Sequence, residues 1–216
     1  MAVQTARGER VTIHFDTRRC IHARRCVMGA PSVFRADVRG AEWIDPDGAS
    51  PEAVVRIAYA CPSGAITVER HDGGPGEAPP AANQMIVRED GPLAMHAEMV
   101  VAGSGPMTRA TLCRCGLSKS KPFCDNSHID GSFEATGELA PQETELGIPD
   151  LVGPVTVTPH ENGPLQLKGA LEISSGSGRM ANRVRGAFFC RCGHSQNKPY
   201  CDGSHKRVVF EAPGAE

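Results

Sequence analysis

The sequence predicts an α+β protein in which a small N-terminal α+β unit precedes two β-rich repeats. Three observations carry that expectation. Apolar and polar residues alternate over Val11–Phe15, Ala65–Glu69 and Leu93–Val101, as in strands with one buried face. Pro51–Ala60 instead has apolar residues at 54, 55, 57 and 58, a helical spacing. Downstream of position 84, one cysteine-bearing pattern occurs twice. The predicted partition is 1–70 for the first unit, a Gly-, Pro- and Ala-rich linker at 71–84, a first repeat at 85–136, a linker at 137–154 and a second repeat at 155–216.

Composition narrows the function classes. With 23 Lys and Arg against 25 Asp and Glu, the net charge is −2, no electrostatic footprint for nucleic acid or an anionic membrane. The apolar runs fall far short of the ~18 residues of a membrane span. The N-terminal residues lack the apolar stretch of a secretory signal. The expectation is therefore a cytoplasmic protein. Val, Leu, Ile and Phe supply 42 of 216 residues, a thin core that calls for another source of stability such as metal ligation. The nine cysteines fall into three groups of three, and an odd count argues against a closed set of disulfides.

The repeats align Cys113 with Cys190 at an offset of 77. The first reads Cys113-Arg114-Cys115-Gly116, Ser118, then Lys121-Pro122-Phe123-Cys124-Asp125-Asn126-Ser127-His128. The second reads Cys190-Arg191-Cys192-Gly193, Ser195, then Lys198-Pro199-Tyr200-Cys201-Asp202-Gly203-Ser204-His205. Downstream, Phe133-Glu134-Ala135 matches Phe210-Glu211-Ala212. Upstream, Glu89-Asp90-Gly91-Pro92-Leu93 matches Glu161-Asn162-Gly163-Pro164-Leu165 at an offset of 72, which places a five-residue insertion near Ser174–Gly178. Each repeat is expected to run as strands at Met85–Arg88 and Leu93–Val101 and a short third strand, Ala110–Leu112 or Gly186–Phe189, into the motif. A short helix follows. Pro122 and Pro199 are expected just ahead of it, with Asp125 and Asp202 capping its free N–H groups.

Three thiolates and one imidazole per repeat make a four-ligand site. Cys-x-Cys brings two sulfurs to one metal, and the third Cys and the His four residues on share a face of the helical turn. Spacing alone leaves a structural Cys₃His zinc site and an iron–sulfur cluster equally open.

At these residues the chain resembles the CDGSH iron–sulfur (NEET) family, over about 85–136 and 155–214. The resemblance implies one [2Fe–2S] cluster per motif. Cys113 and Cys115 would hold the inner iron of the first, with Cys124 and His128 on the outer iron. Cys190 and Cys192, then Cys201 and His205, would hold the second. Asn126 departs from the family's usual Gly at a position that is not a ligand. Single-motif relatives are homodimers, so two motifs in one chain imply an intramolecular pseudo-dimer, a monomer with an internal pseudo-two-fold. A neutral imidazole raises a cluster's potential and can take a proton, which implies pH-dependent potential and lability that His128→Cys or His205→Cys would flatten.

The remaining cysteines are Cys20, Cys26 and Cys61-Pro62. Laid on the C-x₂-C-x₂-C…C-P run of bacterial ferredoxins, Cys20 is first, Cys26 third and Cys61 last, and Ala23 stands where the second Cys belongs. Residues 11–70 resemble single-cluster ferredoxins and the divergent 4Fe–4S domain, through Cys20-Ile21-His22-Ala23-Arg24-Arg25-Cys26-Val27 and Cys61-Pro62-Ser63-Gly64-Ala65-Ile66. The resemblance implies a small ferredoxin-like α+β unit. Three cysteines suit a [3Fe–4S] cluster. A [4Fe–4S] cluster needs a fourth ligand, for which His22, water and an added thiol stay open. Arg18, Arg19, Arg24 and Arg25 crowd the loop as a solvated basic face or a docking patch for an acidic redox partner.

No nucleophile–base motif, phosphate loop or dinucleotide fingerprint appears, so no enzyme with its own substrate site is expected. Three readings remain. One is an electron carrier with a redox partner protein, one a cluster store or pH/redox sensor serving an apo-protein acceptor, and one a zinc-stapled module.

Overall fold

The computed structural model describes residues 3–37, 42–139, 150–179 and 181–215. It divides into two compact units, Met1–Ala78 and Pro79–Glu216.

In the first unit, β1 (Val3–Arg7), β2 (Val11–Asp16) and β3 (Ile66–Arg70) form an antiparallel sheet in that order. α1 (Arg25–Gly29) and α2 (Pro51–Tyr59) lie between β2 and β3 in sequence. α2 begins at Ser50, whose Oγ accepts the Ala53 N–H at 3.4 Å, with Pro51 in the first turn where no N–H is missed. Val54 and Ala58, four residues apart on one face, are fully buried with Val11, Ile13, Phe34, Trp43 and Ile66. The expected strands and helix are present within a residue at their ends. β1 and α1 were not foreseen. β1 lies mostly exposed on the sheet edge and has no apolar period to read, and α1 is a little over one turn long. His71 and Asp72, expected in the linker, are tied to this unit. The His71 N–H donates to Arg10 O at 2.9 Å, and the Arg70 guanidinium donates to Asp72 (2.7 Å) and Glu52 (2.9 Å).

The second unit contains both repeats in one six-stranded sheet. β4 (Gln84–Val87), β5 (Leu93–Val101) and β6 (Gly105–Leu112) come from the first, followed by α3 (Ser127–Asp130). β7 (Val155–Pro159), β8 (Leu165–Ser175) and β9 (Ala181–Phe189) come from the second, followed by α4 (Ser204–Arg207). Within each repeat the strands pair antiparallel. Between repeats, β4 lies parallel to β8 and β7 parallel to β5. The register is the same both ways: Gln84↔Glu172 and Thr156↔Val100 are one pair under the 72-residue offset. The five inserted residues lie in the β8–β9 hairpin, because Val101 pairs with Gly105 and its counterpart Ile173 with Asn182. β6 and β9 are longer than expected, their first residues carrying too little apolar alternation to announce a strand.

Alternate residues Leu93, Met95, Ala97, Met99 and Val101 of β5 pack with Leu165, Leu167, Leu171 and Ile173 of β8 in the core. Asn83 locks the sheet: its Nδ2 donates to Gly153 O (2.8 Å) and Ala170 O (3.0 Å), and its Oδ1 accepts from Glu98 N (2.9 Å). Most of the expected 137–154 linker, 140–149, lies outside the described residues. Leu139 and Leu151 on either side of it are buried.

Candidate metal centres

β6 delivers Cys113 to the edge of the core, and the chain then turns back on itself. Cys113 N–H donates to Pro122 O (2.8 Å) and Cys124 N–H to Thr111 O (2.9 Å), so the returning segment pairs with the strand that led in. The second motif repeats this with Cys190 to Pro199 O and Cys201 to Phe188 O, both at 2.8 Å. Ser118 Oγ donates to Phe123 O and Ser195 Oγ to Tyr200 O, both at 2.6 Å, which closes each loop.

The helices begin later than expected. Because the segment up to Cys124 is spent pairing with β6, α3 starts at Ser127, and Pro122 and Pro199 sit inside the returning loop with cis peptide bonds. The N-cap positions are Asn126 (φ 71°) and Gly203 (φ 85°), one residue after the expected Asp125 and Asp202, in the left-handed region that Asn and Gly tolerate. Asp125 accepts from the N–H groups of Lys119 (2.8 Å) and Ser127 (3.0 Å), and Asp202 from those of Gln196 (2.8 Å) and Ser204 (2.9 Å). Each aspartate therefore fastens the loop to the helix start from one position before the cap. Burial works to raise the Asp125 carboxyl, and these bonds, with that from Ser127 Oγ, outweigh it and hold it low.

The donors come together in pairs. Cys113 Sγ lies 3.6 Å from Cys115 Sγ, and Cys124 Sγ 3.4 Å from His128 Nδ1. In the second motif, Cys190 and Cys192 are 3.8 Å apart, and Cys201 Sγ lies 3.4 Å from His205 Nδ1. Backbone N–H groups of Leu117, Asn126, His194 and Gly203 point at the sulfurs of Cys115, Cys124, Cys192 and Cys201 at 3.4–3.5 Å, an arrangement that favours thiolates. Without metal, burial pushes the Cys124 thiol up to about 11. Burial also lowers the His128 imidazole, which keeps its nitrogen neutral and able to bind a metal.

Arg114 and Arg191, between the paired cysteines, had no assigned role. They are the largest fully buried side chains among the described residues. Arg114 donates to the carbonyls of Gly91 (2.7 Å), Arg88, Ala135 and Thr136 (both 3.2 Å), and its guanidinium lies over the Phe133 ring. Arg191 repeats this with Gly163, Pro213, His160 and Ala212 beneath Phe210. Burial pulls Arg114 down to about 10, against the charges of Cys190 of the other repeat, Asp90 and Cys115. The two motifs meet back to back: a Cβ on Gly116 would stand 2.6 Å from Cys192 O, and one on Gly193 would collide with Cys115 O. The signal for both arginines was their recurrence at the same place in the two repeats.

In the first unit, Cys20, Cys26 and Cys61 line one cavity of about 850 Å³, with Phe15, Trp43 and Ile66 as apolar walls. Trp43 meets Phe15 edge-on at 4.9 Å and donates from Nε1 to Gln4 Oε1 (2.9 Å). Burial raises the Cys20 and Cys26 thiols, and the charges of the neighbouring cysteines add to it. Three soft thiol donors around one recess fit an iron–sulfur cluster. The loop over this recess holds His22 (φ 50°) and Arg24 (φ 59°) in the left-handed region, at about 1–2 kcal/mol for each non-glycine residue. Of the four arginines, Arg18 pairs with Asp16 (3.3 Å) and Arg19 donates to Ser63 O (3.0 Å), while Arg24 and Arg25 line the cavity.

Three thiols around one cavity and two paired Cys₃His motifs define a thiol-rich metal- or cluster-binding protein. Comparison with known families agrees. A model described as "Divergent 4Fe-4S mono-cluster" matches residues 6–71, and one described as "Iron-binding zinc finger CDGSH type" matches 83–129 and 162–206. The chain belongs to the CDGSH iron–sulfur family in its tandem two-motif form, with an N-terminal divergent 4Fe–4S mono-cluster domain. "Uncharacterized protein YjdI" of Escherichia coli K12 is 36% identical over 59 residues, which is 27% of this chain and 75% of the relative. The same protein from Escherichia coli O157:H7 matches equally.

Proposed function

We propose that this chain transfers electrons through two [2Fe–2S] clusters, each on three cysteines and one histidine, and one [3Fe–4S] or [4Fe–4S] cluster on Cys20, Cys26 and Cys61. The observation that carries the reading is the pairing of donors in the second unit. Two thiolates on one tetrahedral metal at ~2.3 Å stand about 3.8 Å apart, and a thiolate and an imidazole slightly closer. The four pairs, at 3.4–3.8 Å, have that spacing. Among the described residues, however, no three His, Cys, Asp or Glu side chains converge on a single ion. Two separate two-donor ends per motif are what a two-iron cluster needs, whereas one zinc ion needs all four donors around one point.

Such clusters, when bound, supply one-electron reduction and oxidation. The protein buries Cys113, Cys115, Cys190 and Cys192, and leaves His128 and His205 half-buried, so the histidine end faces an approaching partner. We read the repeats as an intramolecular pseudo-dimer. The reciprocal β4–β8 and β7–β5 pairings in matching register support this, and with it a monomer. No described helix is long and apolar enough to cross a membrane. The proposed setting is the cytoplasm, with a redox partner protein and no substrate site of its own. A second reading, cluster donation to an apo-protein, is favoured by the Cys201–His205 end, where Cys201 is less buried than Cys124.

The test is a visible spectrum of anaerobically purified protein with iron, zinc and acid-labile sulfide counted per chain. Colour, iron and sulfide without zinc are expected. A colourless protein with stoichiometric zinc and no sulfide overturns the reading. Reduction by a reductase, set against cluster transfer to an apo-ferredoxin, separates carrier from donor.

A further inference from the structure

We infer that His22 is the fourth ligand of the first unit's cluster, so that Cys20, His22, Cys26 and Cys61 together hold a [4Fe–4S] centre. The inference rests on the reading of that cavity as a cluster site. Three thiols line it, and a four-iron cluster has one more iron to hold. Ala23, where the regular spacing places a cysteine, is exposed and has no donor atom.

Among the other side chains lining the cavity, Gln4 accepts from Trp43 Nε1 (2.9 Å), Ser63 Oγ lies against Cys61 Sγ (3.6 Å) and accepts the Ala65 N–H, and the Thr17 hydroxyl and Met28 thioether are weaker donors to iron than an imidazole. Arg24 and Arg25 have no lone pair to give. His22 has one and lines the same cavity; its Nδ1 lies 4.0 Å from Cys20 Sγ, so the exposed ring would swing away from that sulfur to hold an iron of its own. Its backbone is at φ 50°, with Arg24 at φ 59° two residues on. Two non-glycine residues held left-handed so close together mark a loop shaped around what it encloses rather than for its own comfort.

The ring is exposed, so His22 would hold its iron from the solvent side of the cavity. Imidazole is the neutral member of the ligand set, and a thiolate in its place should lower the potential.

The test uses the full chain reconstituted with ferrous iron and sulfide. A [4Fe–4S]²⁺ cluster that releases Fe²⁺ becomes [3Fe–4S]⁰. Ferricyanide then removes one electron to give [3Fe–4S]⁺, whose EPR signal is unobscured because oxidised two-iron clusters are silent. His22→Ala is expected to lose one iron per chain relative to wild type and to give this signal in full. His22→Cys is expected to keep the iron and shift that cluster's midpoint potential downward. The inference is overturned if His22→Ala matches wild type in iron content and signal while His22→Cys leaves the potential unmoved. It is also overturned if wild type itself gives the three-iron signal in full. Cys20→Ala separates the two levels: if it lowers neither iron nor sulfide, the cavity holds no cluster and the underlying reading fails.

Discussion

Arg114 and Arg191 each place a cation in the interior, where charge is costly unless every donor is satisfied. Backbone carbonyls satisfy them here. Arg114 ties the β4–β5 turn, through Arg88 and Gly91, to the tail after α3, through Ala135 and Thr136. The recurrence of Phe-Glu-Ala downstream and Gly-Pro-Leu upstream follows from this, since each repeat must rebuild the cage. Arg114→Met or Arg191→Met leaves a set of buried carbonyls without donors and should cost about 3–5 kcal/mol of stability in denaturant unfolding of the loaded protein. In the first unit, the hydrogen bond from Arg70 holds the Asp72 carboxyl well below its usual range, against some burial. Glu52 is lowered by its own backbone N–H first and by Arg70 second. Carboxyls depressed in the folded state stabilise it fully above their unfolded values, and that stability drains away as pH falls through the folded ones. The first unit should therefore weaken below about pH 4. Melts of wild type and Asp72→Asn from neutral to acid pH should show a shallower acid loss in the variant.

Among the elements, the glycines of the two motifs have different duties. Gly116 (φ 84°) has the Cys192 carbonyl where a Cβ would go. Gly116→Ala should cost about 1–3 kcal/mol, because backbone strain adds to the collision. Gly203 (φ 85°) has open space around its missing Cβ, and its counterpart is already Asn126. Gly203→Asn should stay within about 0.5 kcal/mol of wild type, as thermal melts of both variants would show. The same contrast explains what could be read in advance. The recurrence of the motif and the strands Leu93–Val101 and Val11–Phe15 were legible, because spacing and period are local properties. Local signals said nothing about β1, which stands on a solvated edge, or about Arg114, whose partners lie 20 or more residues away. Nor did they locate the start of α3, delayed by pairing between the loop and β6.

At the scale of the whole second unit, each repeat lends its first strand to the other's sheet edge. A protease site placed within 140–149 should therefore give two fragments that elute together in size-exclusion chromatography and separate only in denaturant. Separation under native conditions would mean that the parallel pairings carry little of the stability. One covalent chain has a further consequence. Two copies of one sequence related by symmetry must present the same rim at both metal ends, whereas joined copies are free to diverge. Here the first end is flanked by exposed Leu117, Ile129 and Asp130, and the second by exposed His194, Lys206 and Arg207. At these three matched positions the two poles differ in charge, Ile129 and Asp130 standing where the second end has Lys206 and Arg207, so the two ends are no longer interchangeable and the molecule has a direction.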